Sequence, residues 1–154
     1  MYIAEDMLLG KYDYPNGPIV VCGGGEVGSE TAHYLQEKNH QVTIVEMQSD
    51  ILNDMMPISR EYLLKMMRES GVNVKTNFKV KEITKDAVIG ENQEGQLVSL
   101  PAEMVVSAFG YKSYNPLEEM ARNNCKEVYV IGGAVKAGSA IPATKEGLEV
   151  GLKL

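Results

Sequence analysis

Residues 19–30 read Ile19-Val20-Val21-Cys22-Gly23-Gly24-Gly25-Glu26-Val27-Gly28-Ser29-Glu30 and are the most informative segment of the chain. Its first four residues are apolar and predict a strand, and Gly23–Gly28 matches the spacing G-x-G-x-x-G. The segment Ser29–Asn39 then predicts a helix, because its apolar residues recur at helical spacing. A strand, a glycine turn and a helix in this order form the arrangement in which backbone amides hold the pyrophosphate of a dinucleotide.

Each glycine of the motif has its own expected reason. Gly23 allows the tight turn out of the strand, and Gly25 lets the backbone approach the pyrophosphate without a Cβ in the way. Gly28 lets the helix pack close to the sheet. The amides of Gly25–Gly28 and the positive end of the helix are then free to face the phosphates.

An acid at the end of the next predicted strand supports this interpretation. Glu46 closes the strand Gln41–Glu46 and lies 18 residues after Gly28 (46 − 28). Its carboxylate can accept hydrogen bonds from both hydroxyls of the adenosine ribose, and it would repel a 2′-phosphate. Residues 47–50 hold no arginine or lysine that could bind such a phosphate. The sequence therefore favours NAD(H) over NADP(H).

The remaining pattern predicts an α/β fold, a Rossmann-like parallel sheet with an antiparallel β-meander. The first strand is apolar throughout, as is typical of a strand buried on both faces of a parallel sheet. Short β runs without room for helical crossovers predict the meander. The other predicted elements are a leading segment 1–17 with a short helical turn, a helix Pro57–Ser70 with Ile58, Tyr62, Leu63, Met66 and Met67 on its inner face, a parallel strand Val72–Thr76, the meander strands Phe78–Thr84, Ala87–Gly90 and Leu97–Leu100, a buried strand Glu103–Phe109, a helix Asn115–Asn123, a strand Val128–Ile131 and a helix Ala143–Leu154.

Composition argues against several classes of partner. The net charge is −6 with no basic cluster, which argues against nucleic acid. No apolar run approaches the roughly 20 residues that span a bilayer, so no membrane segment is expected. Cys22 and Cys125 do not have metal-ligand spacing, and neither a metal site nor a catalytic residue is predicted. We expect a cytoplasmic location, a buried Cys22 in its apolar strand and an inert Cys125 in a polar connection.

Four stretches of the sequence resemble one family. They are Ala4–Lys11, Val21–Ala32, Val42–Met47 and Val128–Ala134. They are similar to the NAD(P)-binding domain of multidomain NADH:flavin oxidoreductases of the 2,4-dienoyl-CoA reductase and enoate reductase type, which carry an old-yellow-enzyme barrel and belong to the pyridine nucleotide-disulfide oxidoreductase superfamily.

The resemblance implies a chain of cofactors. In that family NADH reduces FAD, and electrons pass through an iron–sulfur cluster to FMN in the barrel. It also implies that Glu30 lies near the nicotinamide and that 108–110 border the nicotinamide ribose. The predicted dinucleotide-binding residues are Gly23, Gly24, Gly25, Glu26, Val27, Gly28, Glu30, Glu46, Met47, Ala108, Phe109 and Gly110.

The resemblance further implies a piece of a larger flavoenzyme. We expect residues 18–124 to form the NAD(H)-binding domain and residues 125–154 to be a returning part of a flavin-binding domain. The barrel, the iron–sulfur cysteines and a first glycine motif for FAD are absent, so the isolated chain is expected to bind NAD(H) without turnover. Where the family usually has Gly-Asp, this chain has Gly132-Gly133, which predicts a weaker hold on flavin.

Two alternatives remain open at this stage. A FAD-binding module uses the same glycine turn and an acid at the end of the second strand, although Gly133 argues against it. An NAD-sensing regulatory domain has a similar size and glycine pattern, but such domains alternate strand and helix throughout. The predicted meander of residues 78–100 argues against that alternative.

Overall fold

A computed structural model describes residues 1–154 as two compact units, Met1–Phe109 and Gly110–Leu154. The strands are β1 Tyr2–Ile3, β2 Ile19–Cys22, β3 Val42–Val45, β4 Asn73–Lys75, β5 Lys79–Ile83, β6 Ala87–Glu91, β7 Leu97–Pro101 and β8 Met104–Ser107. The helices are α1 Ala4–Leu8, α2 Glu26–Glu37, α3 Pro57–Ser70, α4 Glu118–Asn124 and α5 Ala140–Gly151, with a 3-10 turn at Gly132–Ala134.

The first unit is built on a five-stranded parallel sheet in the order β1-β8-β2-β3-β4. Strand β2 lies at its centre, and its two neighbours come from different parts of the chain, β3 directly after it and β8 after the meander. This is the topological switch point, outside which ligands bind in open α/β sheets. The predicted Rossmann-like sheet is therefore confirmed.

Both faces of the central strand are buried. Ile19 and Val21 pack in the cluster that contains residues of α1, α2 and α3, whereas Val20 and Cys22 pack in the cluster with Phe78 and the meander. The meander is a separate antiparallel sheet in the order β5-β6-β7. Three layers result, with helices and meander on opposite faces of the parallel sheet, as the continuous apolar run of β2 predicts.

Several elements differ from the sequence prediction at their ends: α4 begins at Glu118, not at Asn115, and α5 spans Ala140–Gly151, not Ala143–Leu154. Helix α2 begins at Glu26, not at Ser29, so it starts directly after the glycine turn. Strand β1 was not predicted, because only its pairing with β8 makes two residues of the leading segment a strand. The predicted domain boundaries, between residues 17 and 18 and between residues 124 and 125, separate segments by their cofactor-binding roles, and they stay predictions.

Helix α3 has the predicted bounds but a narrower buried face. Leu63 and Met67 are buried, whereas Ile58 and Tyr62 are 86% and 67% exposed. The predicted inner face is wrong at these two positions. The sheet ends at β4, whose three residues are all exposed, and this limits the surface that α3 can cover.

The second unit contains no strand, so the predicted strand Val128–Ile131 is wrong. Ile131 is extended but only leads into the 3-10 turn. An apolar run becomes a strand when a neighbour accepts its hydrogen bonds, and this unit offers only helices. Neither α4, α5 nor the 3-10 turn has a buried residue.

No helix combines the length and apolar character needed to cross a bilayer. No group of three or more histidine, cysteine or acidic side chains is arranged to hold a metal ion.

Burial makes a specific prediction about the two cysteines. Cys22 is completely buried, and desolvation raises the pKa of its thiol from 9.0 to about 12, whereas Cys125 is exposed. We expect one fast-reacting thiol per folded chain at a pH of about 8, and two in urea, when a disulfide reagent is followed by absorbance. Because the pKa of the Cys22 thiol is higher in the folded chain than its ordinary value of 9.0, this group leaves the free energy of unfolding unchanged below pH 9.0. It lowers that free energy as the pH rises from 9.0 toward about 12. Cys125→Ser should abolish the fast reaction, and two fast thiols in the native chain would contradict the burial.

Candidate functional site

Three predicted residues lie side by side at the carboxyl edge of the parallel sheet. Gly23, Glu46 and Ala108 directly follow β2, β3 and β8, and Cys22 at the end of β2 pairs with the last residue of each neighbour. The Gly23 amide donates to the Val45 carbonyl at 2.9 Å, and the Ala108 amide donates to the Cys22 carbonyl at 2.8 Å. The glycine turn therefore lies between Glu46 and Ala108.

The turn itself is closely packed at two of its glycines. Gly23 has a φ of +116°, and a Cβ there would lie 2.2 Å from the Ala108 carbonyl oxygen. A Cβ on Gly28 would lie 2.0 Å from the carbonyl oxygen of Gly23. Only glycine fits at these positions, because the backbone of the turn folds against both.

Gly25 is different, because its surroundings are open. It is exposed, its φ is −73°, and a Cβ there would have no heavy atom within 4 Å. It also directly precedes α2. The first-turn amides of a helix have no intrahelical acceptor, and in α2 no side chain caps them either. An open approach to uncapped amides at the positive end of a helix is the environment that a pyrophosphate requires.

The Glu46 carboxylate is already oriented by the backbone. Its Oε2 accepts from the Gly24 amide at 2.7 Å, and its Oε1 accepts from the Gln48 amide at 2.8 Å. A carboxylate offers about four lone-pair positions, so acceptor capacity remains for the two hydroxyls of a ribose. The bond from the Gly24 amide also ties the end of β3 to the glycine turn.

The other predicted residues lie in different surroundings. Glu26 and Val27 form the first turn of α2, with Glu26 exposed and Val27 packed against the core. Glu30 is exposed and lines a groove of about 480 Å³ between α2 and α3, while Met47 is 66% exposed directly after Glu46. Phe109 ends the first unit and is 60% exposed, and Gly110 begins the second unit with a φ of +84°. Their roles in binding stay predictions.

The β3–α3 connection contributes residues that the sequence did not point to. Ile51 and Leu52 are buried, and the Leu52 amide donates to the Gly24 carbonyl at 2.8 Å. A Cβ on Gly24 would lie 2.4 Å from the Ile51 Cγ2. The β3–α3 connection thus packs directly against the glycine turn, and its short apolar pair has no periodic signal in the sequence.

The fold and this edge of the sheet define a dinucleotide-binding domain of redox enzymes. Residues 4–147 match the sequence profile of the pyridine nucleotide-disulphide oxidoreductases, and the chain belongs to this family. Pyridine nucleotide and flavin cofactors are consistent with this membership.

Individual relatives agree with the family. The chain is 40% identical over 152 residues to an NADH oxidase of Thermoanaerobacter brockii, covering 97% of this chain and 23% of the relative. It is 30% identical to a cinnamate reductase of Clostridium sporogenes, with 97% and 23% coverage. Among solved structures, a 2-naphthoyl-CoA reductase complex superimposes with a TM-score of 0.79 at 27% identity, covering 97% of this chain and 23% of the other.

A histamine dehydrogenase from Rhizobium superimposes with a TM-score of 0.84 over 99% of this chain and 26% of the other, at 17% identity, which supports the fold. The chain thus spans about a quarter of the length of these relatives.

Proposed function

We propose that this chain binds NADH across the carboxyl edge of its parallel sheet and serves as the NADH-accepting domain of an NADH-dependent flavin oxidoreductase. The observation that carries the proposal is the adjacency of the glycine turn, Glu46 and Ala108 at the switch point of the sheet. The local sequence supplies each part, and the strand register brings the parts together.

The residues of this edge would divide the work of binding. The amides of Gly25–Gly28 would hold the pyrophosphate, aided by the positive end of α2. Glu46 would accept the adenosine ribose hydroxyls and repel a 2′-phosphate. Glu30 and the segment 108–110 would border the nicotinamide end, as the family resemblance implies.

Bound NADH would supply a hydride for a flavin. The remaining flavin and barrel domains of a parent chain would hold FAD, an iron–sulfur cluster and FMN, and they are the proposed partners of this domain. We propose that the isolated chain binds nucleotide but turns over no substrate, because the flavin that would accept the hydride is expected to be held by the other domains. The cytoplasmic location stays a prediction.

The named relatives and the observed meander both support this proposal. The relatives include an NADH oxidase, and two of those named for a substrate are reductases, of cinnamate and of 2-naphthoyl-CoA. The confirmed meander also weakens the alternative of a regulatory NAD sensor.

Calorimetric titration of the purified chain with NADH, NADPH and FAD tests the proposal. We expect NADH to bind, NADPH to bind at least about tenfold more weakly because Glu46 faces its 2′-phosphate, and FAD not to bind. Equal binding of NADH and NADPH would contradict the role of Glu46. Tight FAD binding without NADH binding would instead support a FAD-binding module.

A further inference from the structure

The glycine turn is held in place from behind by the β3–α3 connection. The contact is made at Gly24, whose carbonyl accepts from Leu52 and whose Cα faces the Ile51 side chain. The Gly24 amide in turn donates to Glu46. Any shift of Ile51 and Leu52 would therefore reach the Glu46 carboxylate through a single residue.

This segment of the connection needs external support. Leu52 has a φ of +59°, a left-handed conformation that a branched side chain adopts only when its surroundings enforce it. It is 2% exposed, so the burial of its side chain is one part of that enforcement. The second constraint is a set of hydrogen bonds accepted by the carbonyl of the preceding residue, Ile51.

Arg60, on the first turns of α3, provides that support. Its Nε and Nη2 both donate to the Ile51 carbonyl, at 3.3 and 3.2 Å, and Nη2 also pairs with the Asp50 carboxylate. The Arg60 side chain is only 22% exposed. A guanidinium that bonds a carbonyl and a carboxylate at once fixes the direction of both, which a lysine ammonium does less rigidly.

We propose that Arg60 is a positioning residue for the adenosine end of the dinucleotide site, acting through Ile51 and Leu52 on Gly24 and Glu46. The inference rests on the proposed function, since it presumes that Glu46 binds the ribose. Arg60 itself would not contact the ligand. Its loss should leave the chain folded, loosen the connection and disorient the carboxylate.

The test compares Arg60→Met with Arg68→Met in the full chain. Arg68 lies on the same helix, is exposed, and makes no side-chain hydrogen bond or ion pair. We expect Arg60→Met to weaken NADH binding about tenfold while NADPH binding changes less, because NADPH gains little from an oriented carboxylate. Hydrogen exchange of the Leu52 amide should accelerate, while that of Val21 in the core stays unchanged. Arg68→Met should behave as the wild type does.

The outcomes separate this inference from the proposed function. If the wild type does not bind NADH, the proposed function fails. If it binds and Arg60→Met binds equally well, or loses NADH and NADPH affinity by the same factor, the positioning role is overturned. If Arg60→Met does not fold, Arg60→Lys is measured instead, since lysine keeps the positive charge but lacks the planar guanidinium that donates to two acceptors. An unchanged NADH-to-NADPH affinity ratio in Arg60→Lys would also overturn the role.

Discussion

Gly25→Val should abolish detectable NADH binding and leave the fold intact. The backbone at Gly25 is compatible with a side chain, and a Cβ there meets no atom of the protein within 4 Å. The space that the side chain would enter is the space that the pyrophosphate needs, directly before the uncapped amides of α2. Calorimetry measures the loss of binding, and circular dichroism with thermal unfolding measures the fold.

Gly28→Ala is the contrasting variant, because its main effect should be on the stability of the fold. It adds a smaller side chain three residues further on, but its Cβ would lie 2.0 Å from the Gly23 carbonyl oxygen. We expect this variant to lower the free energy of unfolding by about 1–3 kcal/mol, as overpacking does. Normal NADH binding by Gly25→Val would refute the proposed position of the pyrophosphate. Unfolding of Gly25→Val would show that Gly25 is required for the fold.

Glu46→Ala should weaken NADH binding by about 1.5–3 kcal/mol, the range for hydrogen bonds to a charged group, which is roughly 10- to 150-fold in Kd. Two effects add, because the carboxylate is the expected ribose acceptor and also receives the amides of Gly24 and Gln48. NADPH should lose little affinity, since removal of the negative charge also removes repulsion of its 2′-phosphate. Parallel titrations with both nucleotides measure the change in preference.

Asp54→Ala provides the control for Glu46. Asp54 is an exposed acid on the same β3–α3 connection and takes part in no side-chain hydrogen bond or ion pair. Its removal changes the net charge equally, so a general electrostatic effect would appear in both variants. Similar affinity for NADH in the Glu46 and Asp54 variants would rule out a ribose contact at Glu46.

Where the sequence prediction failed, distant residues decide the structure. The run Val128–Ile131 has the composition of a strand, but in its own unit it has no strand to pair with. Ile58 and Tyr62 have the spacing of a buried helical face, yet the sheet beneath α3 ends at β4. Composition and spacing report the preference of a segment, whereas burial depends on what the rest of the chain places against it.

The bonds of Arg60 to the connection show the same limit within the candidate site. Asp50, Ile51 and Arg60 form no recognisable motif, and their contact exists only because α3 folds back over the connection. Ile51 and Leu52 contribute to the candidate site because they pack against Gly24 of the glycine turn. None of these contacts has a local signature in the sequence.

The local parts of this protein can be read from its sequence: the glycine turn Gly23–Gly28, the apolar strand before it, the acid Glu46 after the next strand, and the meander. These parts follow from periodicity and from the conformations that glycine alone permits, which act over a few residues. That Gly23, Glu46 and Ala108 follow adjacent strands, and that the β3–α3 connection supports the turn, depends on the tertiary structure. Strand register and packing join residues far apart in the chain, so their outcome depends on the whole sheet.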